Sequence, residues 1–167
     1  MGRIADKALG IKKGSTSPKS APRGTLRAGT IHKAINPATG RIISVKTAKK
    51  KAWTAIARYV RKLEPICCTC PNPTTEAGHY QHNSDKENKQ LGGNELWYYE
   101  KNIHGQCGTC NRWKSGNLAP YSLFMEEKYG HGILQEIRDL YHTPRKWTIG
   151  EILFIEEVYK QKLHALS

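Results

Sequence analysis

The chain has 167 residues, 38% of them apolar, and a formal charge of +13 from 27 Lys/Arg against 14 Asp/Glu. That length suits one ordinary domain with an appended tail, and no apolar run approaches the ~18 residues a membrane span needs. Five cysteines, four of them in two close pairs, point to metal ligation in a reducing compartment rather than to disulfides, so a cytoplasmic protein is expected.

Residues 1–45 are rich in Gly, Ser, Thr, Pro and Lys without a sustained period. They predict a flexible, disordered basic arm that nucleic acid or a partner orders. The arm opens without the apolar core of a secretory signal, and Asp6 stands where a myristoylation motif needs Ser or Thr. ATGRIISV leaves room for a short strand or hairpin around Gly40–Val45. Charge is segregated: residues 1–62 hold 16 Lys/Arg and one acidic residue, Asp6, whereas residues 63–167 hold 11 Lys/Arg against 13 Asp/Glu. A basic arm beside a near-neutral body is the footprint of a nucleic-acid binder. It lacks the apolar face of a helix that lies on membranes.

Residues 46–167 read as one domain. From Lys46 to Leu63 the pattern is helical, with Trp53, Ile56, Ala57, Val60 and Leu63 as one apolar stripe, and Pro65 ends it. Lys50, Lys51, Arg58, Arg61 and Lys62 on the other face are expected to contact phosphates, or else form a solvated charged face. Residues 66–117 are turn-rich. In them 82–95 is a polar loop, LWYY and NIHGQC are extended, and CNRWKSG opens a helix. Helices follow at 122–129 and 132–141. A last helix has a Thr148/Glu151 capping box and a stripe of Ile152, Ile155, Val158 or Tyr159, and Leu163.

Cys67-x-x-Cys70 and Cys107-x-x-Cys110, with 36 residues between them, place four thiolates on two turns that can converge on one tetrahedral structural Zn²⁺. Cys68 is left as a spare thiol, and a register in which it ligates instead of Cys67 stays open. In so polar a segment, zinc is expected to supply much of the folding free energy.

His79 lies nine residues after Cys70, Asn102 five before Cys107, and Asn111 directly follows Cys110. The order His, Asn, then Asn just after Cys-x-x-Cys resembles an HNH nuclease finger, two strands and a helix around one divalent metal. With EAGHY, NIHGQCGTCNRWKSGNLAPY and RKWTIGEI, the chain resembles the NinG/Rap family of lambdoid-phage recombination proteins over residues 50–167. The knuckle is also similar to that of phage recombination endonuclease VII. The fold expected is α+β and mainly helical, with a small zinc-stapled ββα-metal (HNH) finger flanked by helices.

The resemblance implies a structure-selective endonuclease that cuts branched DNA, such as Holliday junctions and D-loops, in the host-cell cytoplasm. Symmetric cutting calls for a homodimer. Phosphodiester hydrolysis needs a base to make the attacking hydroxide and a cation to stabilise the pentacovalent phosphorus and the leaving 3′ oxygen. His79 suits the base, Asn111 a ligand for Mg²⁺ or Mn²⁺, and Asn102 a brace for the loop. Many HNH sites carry an Asp immediately before the base, and here that residue is Gly78. His104 is the preferred replacement ligand, ahead of Glu76 and His82. Arg112 and Lys114 are candidates to grip phosphates at a helix start, with Asn117 beside them. The alternatives are a non-catalytic zinc-knuckle nucleic-acid-binding protein and an HNH nuclease with another DNA or RNA target.

Overall fold

The computed structural model describes residues 33–35, 40, 42–82 and 94–166. Among them the chain is mainly helical, with two small two-stranded antiparallel sheets. Strands β1 (Lys33–Ile35) and β2 (Ile42–Ser44) pair, and helix α1 (Val45–Leu63) follows without a break. Strand β2 falls where ATGRIISV left room for a short strand or hairpin, within the span otherwise expected to be a flexible arm. Ile43 explains it, being buried in the same core as α1. Ser44 then caps the helix, accepting a hydrogen bond from Thr47 N at 3.2 Å. The rest of the expected arm, residues 1–32, 36–39 and 41, lies outside the described residues, as does most of the expected loop, residues 83–93.

Helix α1 starts one residue before the predicted Lys46 and keeps Ile56 and Val60 of the predicted stripe in the core, with Trp53 and Ala57 packed against it. Its buried residues are Ala48, Ala52, Ala55, Ile56 and Val60, while Leu63 is 45% exposed. The small alanines let α4 (Ile149–Ala165) pack closely through Ile149, Ile152 and Tyr159. The Thr148/Glu151 capping box forms: Glu151 N donates to Thr148 Oγ1 at 3.3 Å and Thr148 N to Glu151 Oε2 at 2.8 Å. No described helix is long and apolar enough to cross a membrane.

Strands β3 (Glu76–His79) and β4 (Ile103–Gln106) pair antiparallel with Gly78 opposite His104 and His79 opposite Ile103. Strand alternation therefore sends His79 and His104 to opposite faces. In LWYY only Tyr99 is extended; residues 96–98 belong to a 3₁₀ turn, Glu95–Tyr98. Its Leu96 joins a second core with Tyr121, Met125, Ile133 and Ile137, built on α2 (Leu118–Tyr129) and α3 (Ile133–Tyr141). CNRWKSG does not open a long helix. It forms one π-helical turn, Thr109–Trp113, and the left-handed residues Ser115 (φ 49°), Gly116 (φ 89°) and Asn117 (φ 51°) stop it before α2.

Candidate active site and metal centre

The Sγ atoms of Cys67, Cys70, Cys107 and Cys110 all lie within 4.8 Å of one another. Cys70 Sγ is 3.6 Å from Cys107 Sγ and 3.5 Å from Cys110 Sγ. A tetrahedral thiolate site with Zn–S near ~2.3 Å has sulfurs ~3.8 Å apart, so this set can hold a metal ion such as zinc. Outer donors are already aimed at the sulfurs: Cys110 N reaches Cys107 Sγ at 3.4 Å, Asn117 Nδ2 reaches Cys110 Sγ at 3.6 Å, and Thr69 Oγ1 lies 3.2 Å from Cys67 Sγ. Cys68 is not in the cluster. It packs against the second core, and burial pushes its thiol up, away from thiolate. The register left open in the sequence is closed in favour of Cys67.

A cleft of ≈ 370 Å³ opens beside this knuckle, lined by Trp53, Ala57, Arg61, Glu76, Gly78, His79, His82 and Asn111, among others. His79 stacks on Trp53, with ring centroids 4.7 Å apart and planes 12° from parallel. Its Nε2 lies 3.1 Å from the Trp97 carbonyl. A carbonyl only accepts, so Nε2 carries the proton and Nδ1 is the basic nitrogen. Burial lowers the His79 pKa to about 4, against the raising effect of the Trp97 carbonyl, so the ring is neutral at physiological pH.

Across the cleft, Asn111 Nδ2 donates to Glu76 Oε2 at 2.7 Å, and Arg112 pairs with the other carboxylate oxygen. The bond from Asn111 and the Arg112 guanidinium hold Glu76 below the usual carboxylate range, burial opposing them, so it is anionic. Glu76 and Asn111 thus bring an anionic carboxylate and a side-chain amide together at the cleft. Gly78 has a steric reason. A Cβ there would collide with Gln106 Oε1 and press on Asn111 Oδ1 at 2.8 Å. A side chain at position 78 would therefore require both amides to move, and Glu76 is the carboxylate that lines the cleft.

Asn102 is fully buried and holds the chain just beyond the base. Its Oδ1 accepts from Gln81 N at 2.9 Å and its Nδ2 donates to Gln81 O at 3.2 Å. His104 does not reach the cleft, which corrects its placing as a metal ligand. It is 2% exposed, with Nδ1 2.8 Å from Glu64 Oε1 and Nε2 3.2 Å from the Lys101 carbonyl. Among the basic candidates, Arg61 lines the cleft, Lys50, Lys51 and Arg58 line a separate groove toward α4, and Lys62 and Lys114 are exposed. In the sequence Trp53 stands only as part of the α1 stripe and Trp97 only within LWYY, with no sign that both rings pack on His79.

A family model described as "Bacteriophage Lambda NinG protein" matches residues 36–167, the span that contains both the knuckle and the cleft. The chain belongs to the NinG family. It is 34% identical over 122 residues to Protein ninG of Escherichia phage lambda, covering 70% of this chain and 56% of that protein. The NinG proteins of Salmonella phage P22 and Escherichia phage 933W are 34% and 33% identical over the same length. The chain thus spans little more than half the length of these relatives, 56–57%. No solved structure matches it.

Proposed function

We propose that this NinG-family chain is a metal-dependent, structure-selective endonuclease that hydrolyses phosphodiester bonds in branched DNA such as Holliday junctions and D-loops. One observation carries the reading: a neutral histidine with a basic Nδ1 shares a cleft with a paired carboxylate and amide, beside a four-thiol knuckle. In this reading β3, β4 and the π turn form the HNH finger. Zinc would act as scaffold, fixing Cys110 and through it Asn111.

His79 Nδ1 takes a proton from the water that attacks phosphorus, a contribution of roughly 10²- to 10⁴-fold. The Trp53 stack and the Asn102 clamp on Gln81 keep the ring in place. Glu76 and Asn111 would hold Mg²⁺ or Mn²⁺, which when bound supplies charge stabilisation for the pentacovalent phosphorus and the leaving oxygen. Arg61 at the cleft, Lys50, Lys51, Arg58 and Lys62 along α1, and Arg112 and Lys114 at the turn supply contacts to the phosphate backbone, which position without reading sequence. Two copies would be needed to cut a junction symmetrically.

The test is a labelled four-way junction beside a linear duplex of the same arms, with Mg²⁺, Mn²⁺ or EDTA. The account expects metal-dependent cuts near the branch. Junction binding without cuts in either metal would leave a zinc-knuckle binding module. That second reading has an observation of its own, since a ring stacked on Trp53 and tied to a carbonyl also suits a purely structural histidine.

A further inference from the structure

Among the described residues no large apolar side chain is more exposed than Trp113, at 86%. It is not on a loose segment. Trp113 ends the π turn that starts between Cys107 and Cys110, and Lys114 N closes that turn on Thr109 O at 3.0 Å. Gly116 N then donates to Cys110 O at 2.9 Å and Asn111 O at 3.1 Å. Left-handed backbone at Ser115 and Asn117, uncommon for non-glycine residues, fixes the exit. A rigid backbone therefore presents an indole to solvent two positions from Asn111, a residue of the cleft wall.

Its neighbours say what it presents the ring to. Lys114, next in sequence, is exposed, and Arg112 before it is exposed too while pairing with Glu76 at the cleft. The phosphate beside a stacked base would thus meet a cation and lie next to the cleft. By contrast Phe154, 70% exposed on α4, has Glu151, Glu156 and Glu157 nearby in sequence and no such complement. We propose that Trp113 is a stacking platform for an unpaired nucleobase, which brings the adjoining phosphodiester to the cleft. The proposal rests on the endonuclease reading and supplies its selectivity. A linear duplex keeps its interior bases paired and stacked, whereas a single-stranded flank offers free base faces and a junction opened in EDTA exposes the faces of the bases at its crossover.

The experiment measures binding in EDTA, where nothing is cut, to a four-way junction, an oligo-dT strand and a linear duplex of the same arms. Wild type is compared with Trp113→Ala and Trp113→Phe, each checked for zinc content and far-UV circular dichroism. Trp113→Ala should weaken junction and oligo-dT binding by roughly 5- to 100-fold and leave duplex binding within about 2-fold, while Trp113→Phe keeps most of the affinity. Oligo-dT should also quench the tryptophan fluorescence of wild type more than that of Trp113→Phe. Equal affinity of wild type and Trp113→Ala for all three probes would overturn the proposal, as would an equal loss on duplex and junction. A changed oligomeric state with DNA affinity intact would overturn it in favour of a protein-contact patch. Junction cutting by wild type with no effect of Trp113→Ala would remove the stacking role and leave the endonuclease. Selective binding and quenching without cutting by wild type would do the reverse.

Discussion

A general base has to be unprotonated before it can act, and the surroundings of His79 keep it so. The Trp53 and Trp97 rings cover part of the imidazole, and the Trp97 carbonyl fixes the proton on Nε2. In the free protein the ring should titrate near 4 by NMR, rather than near the ordinary 6.5, and Trp53→Ala should move it upward by admitting water. A titration at 6.5 in wild type would contradict the enclosure. The folded value lies below the unfolded one, so His79 contributes stability in full above about 6.5 and loses it as the pH falls to about 4. His79→Asn should lose less stability than wild type across that window. Glu76→Gln removes the only carboxylate among the described cleft-lining residues. It should raise the Mg²⁺ concentration needed for cleavage and cut the rate by about 10²-fold or more, with zinc content unchanged. An unaltered metal dependence would exclude Glu76. His79, Asn102 and Asn111 were legible because their order and spacing to the cysteines are local facts. The sequence favours His104 over Glu76 because only the folded contacts show His104 buried against Glu64 and the Lys101 carbonyl, and Glu76 bonded to Asn111 at the cleft.

At the scale of elements, α1 does two jobs with two faces. The alanine face, Ala48, Ala52 and Ala55, receives α4, while Trp53, Ala57 and Arg61 wall the cleft. Ala52→Leu should therefore destabilise the fold by about 1–3 kcal/mol through overpacking, read as a lower denaturation midpoint. An unchanged midpoint would mean that the α1–α4 contact is loose. Helix bounds were readable from caps and breakers: Pro65 after α1 and the Thr148/Glu151 box before α4 both stand where expected. The core face of α1 was readable in part: Ile56 and Val60 are in the core, and Trp53 and Ala57 pack against it. A hydrophobicity pattern, however, favours the exposed Leu63 over Ala48, Ala52 and Ala55, whose value is their small size. The π turn was misread for a related reason. CNRWKSG has helix-compatible residues, and what stops the helix is left-handed backbone at Ser115, Gly116 and Asn117.

For the molecule as a whole, the knuckle is the hinge of the account. Two segments, around Cys67 and Cys107, have few apolar residues to hold them together, so a bound metal should couple their folding. The protein should carry one zinc per chain, and Cys110→Ser should lose it together with the order of the cleft, seen as loss of the dispersed amide signals of β3, β4 and the turn. Retention of those signals without zinc would make the metal dispensable. The distribution of charge predicts binding that weakens steeply with salt, since each phosphate contact releases counterions. The measurement that bears most directly on the central claim compares wild type with His79→Ala on a four-way junction with Mg²⁺, following cleavage and binding in parallel. The account predicts that His79→Ala keeps its zinc and its junction affinity while cleavage falls by at least about 10²-fold. Cleavage at the wild-type rate in His79→Ala would contradict it.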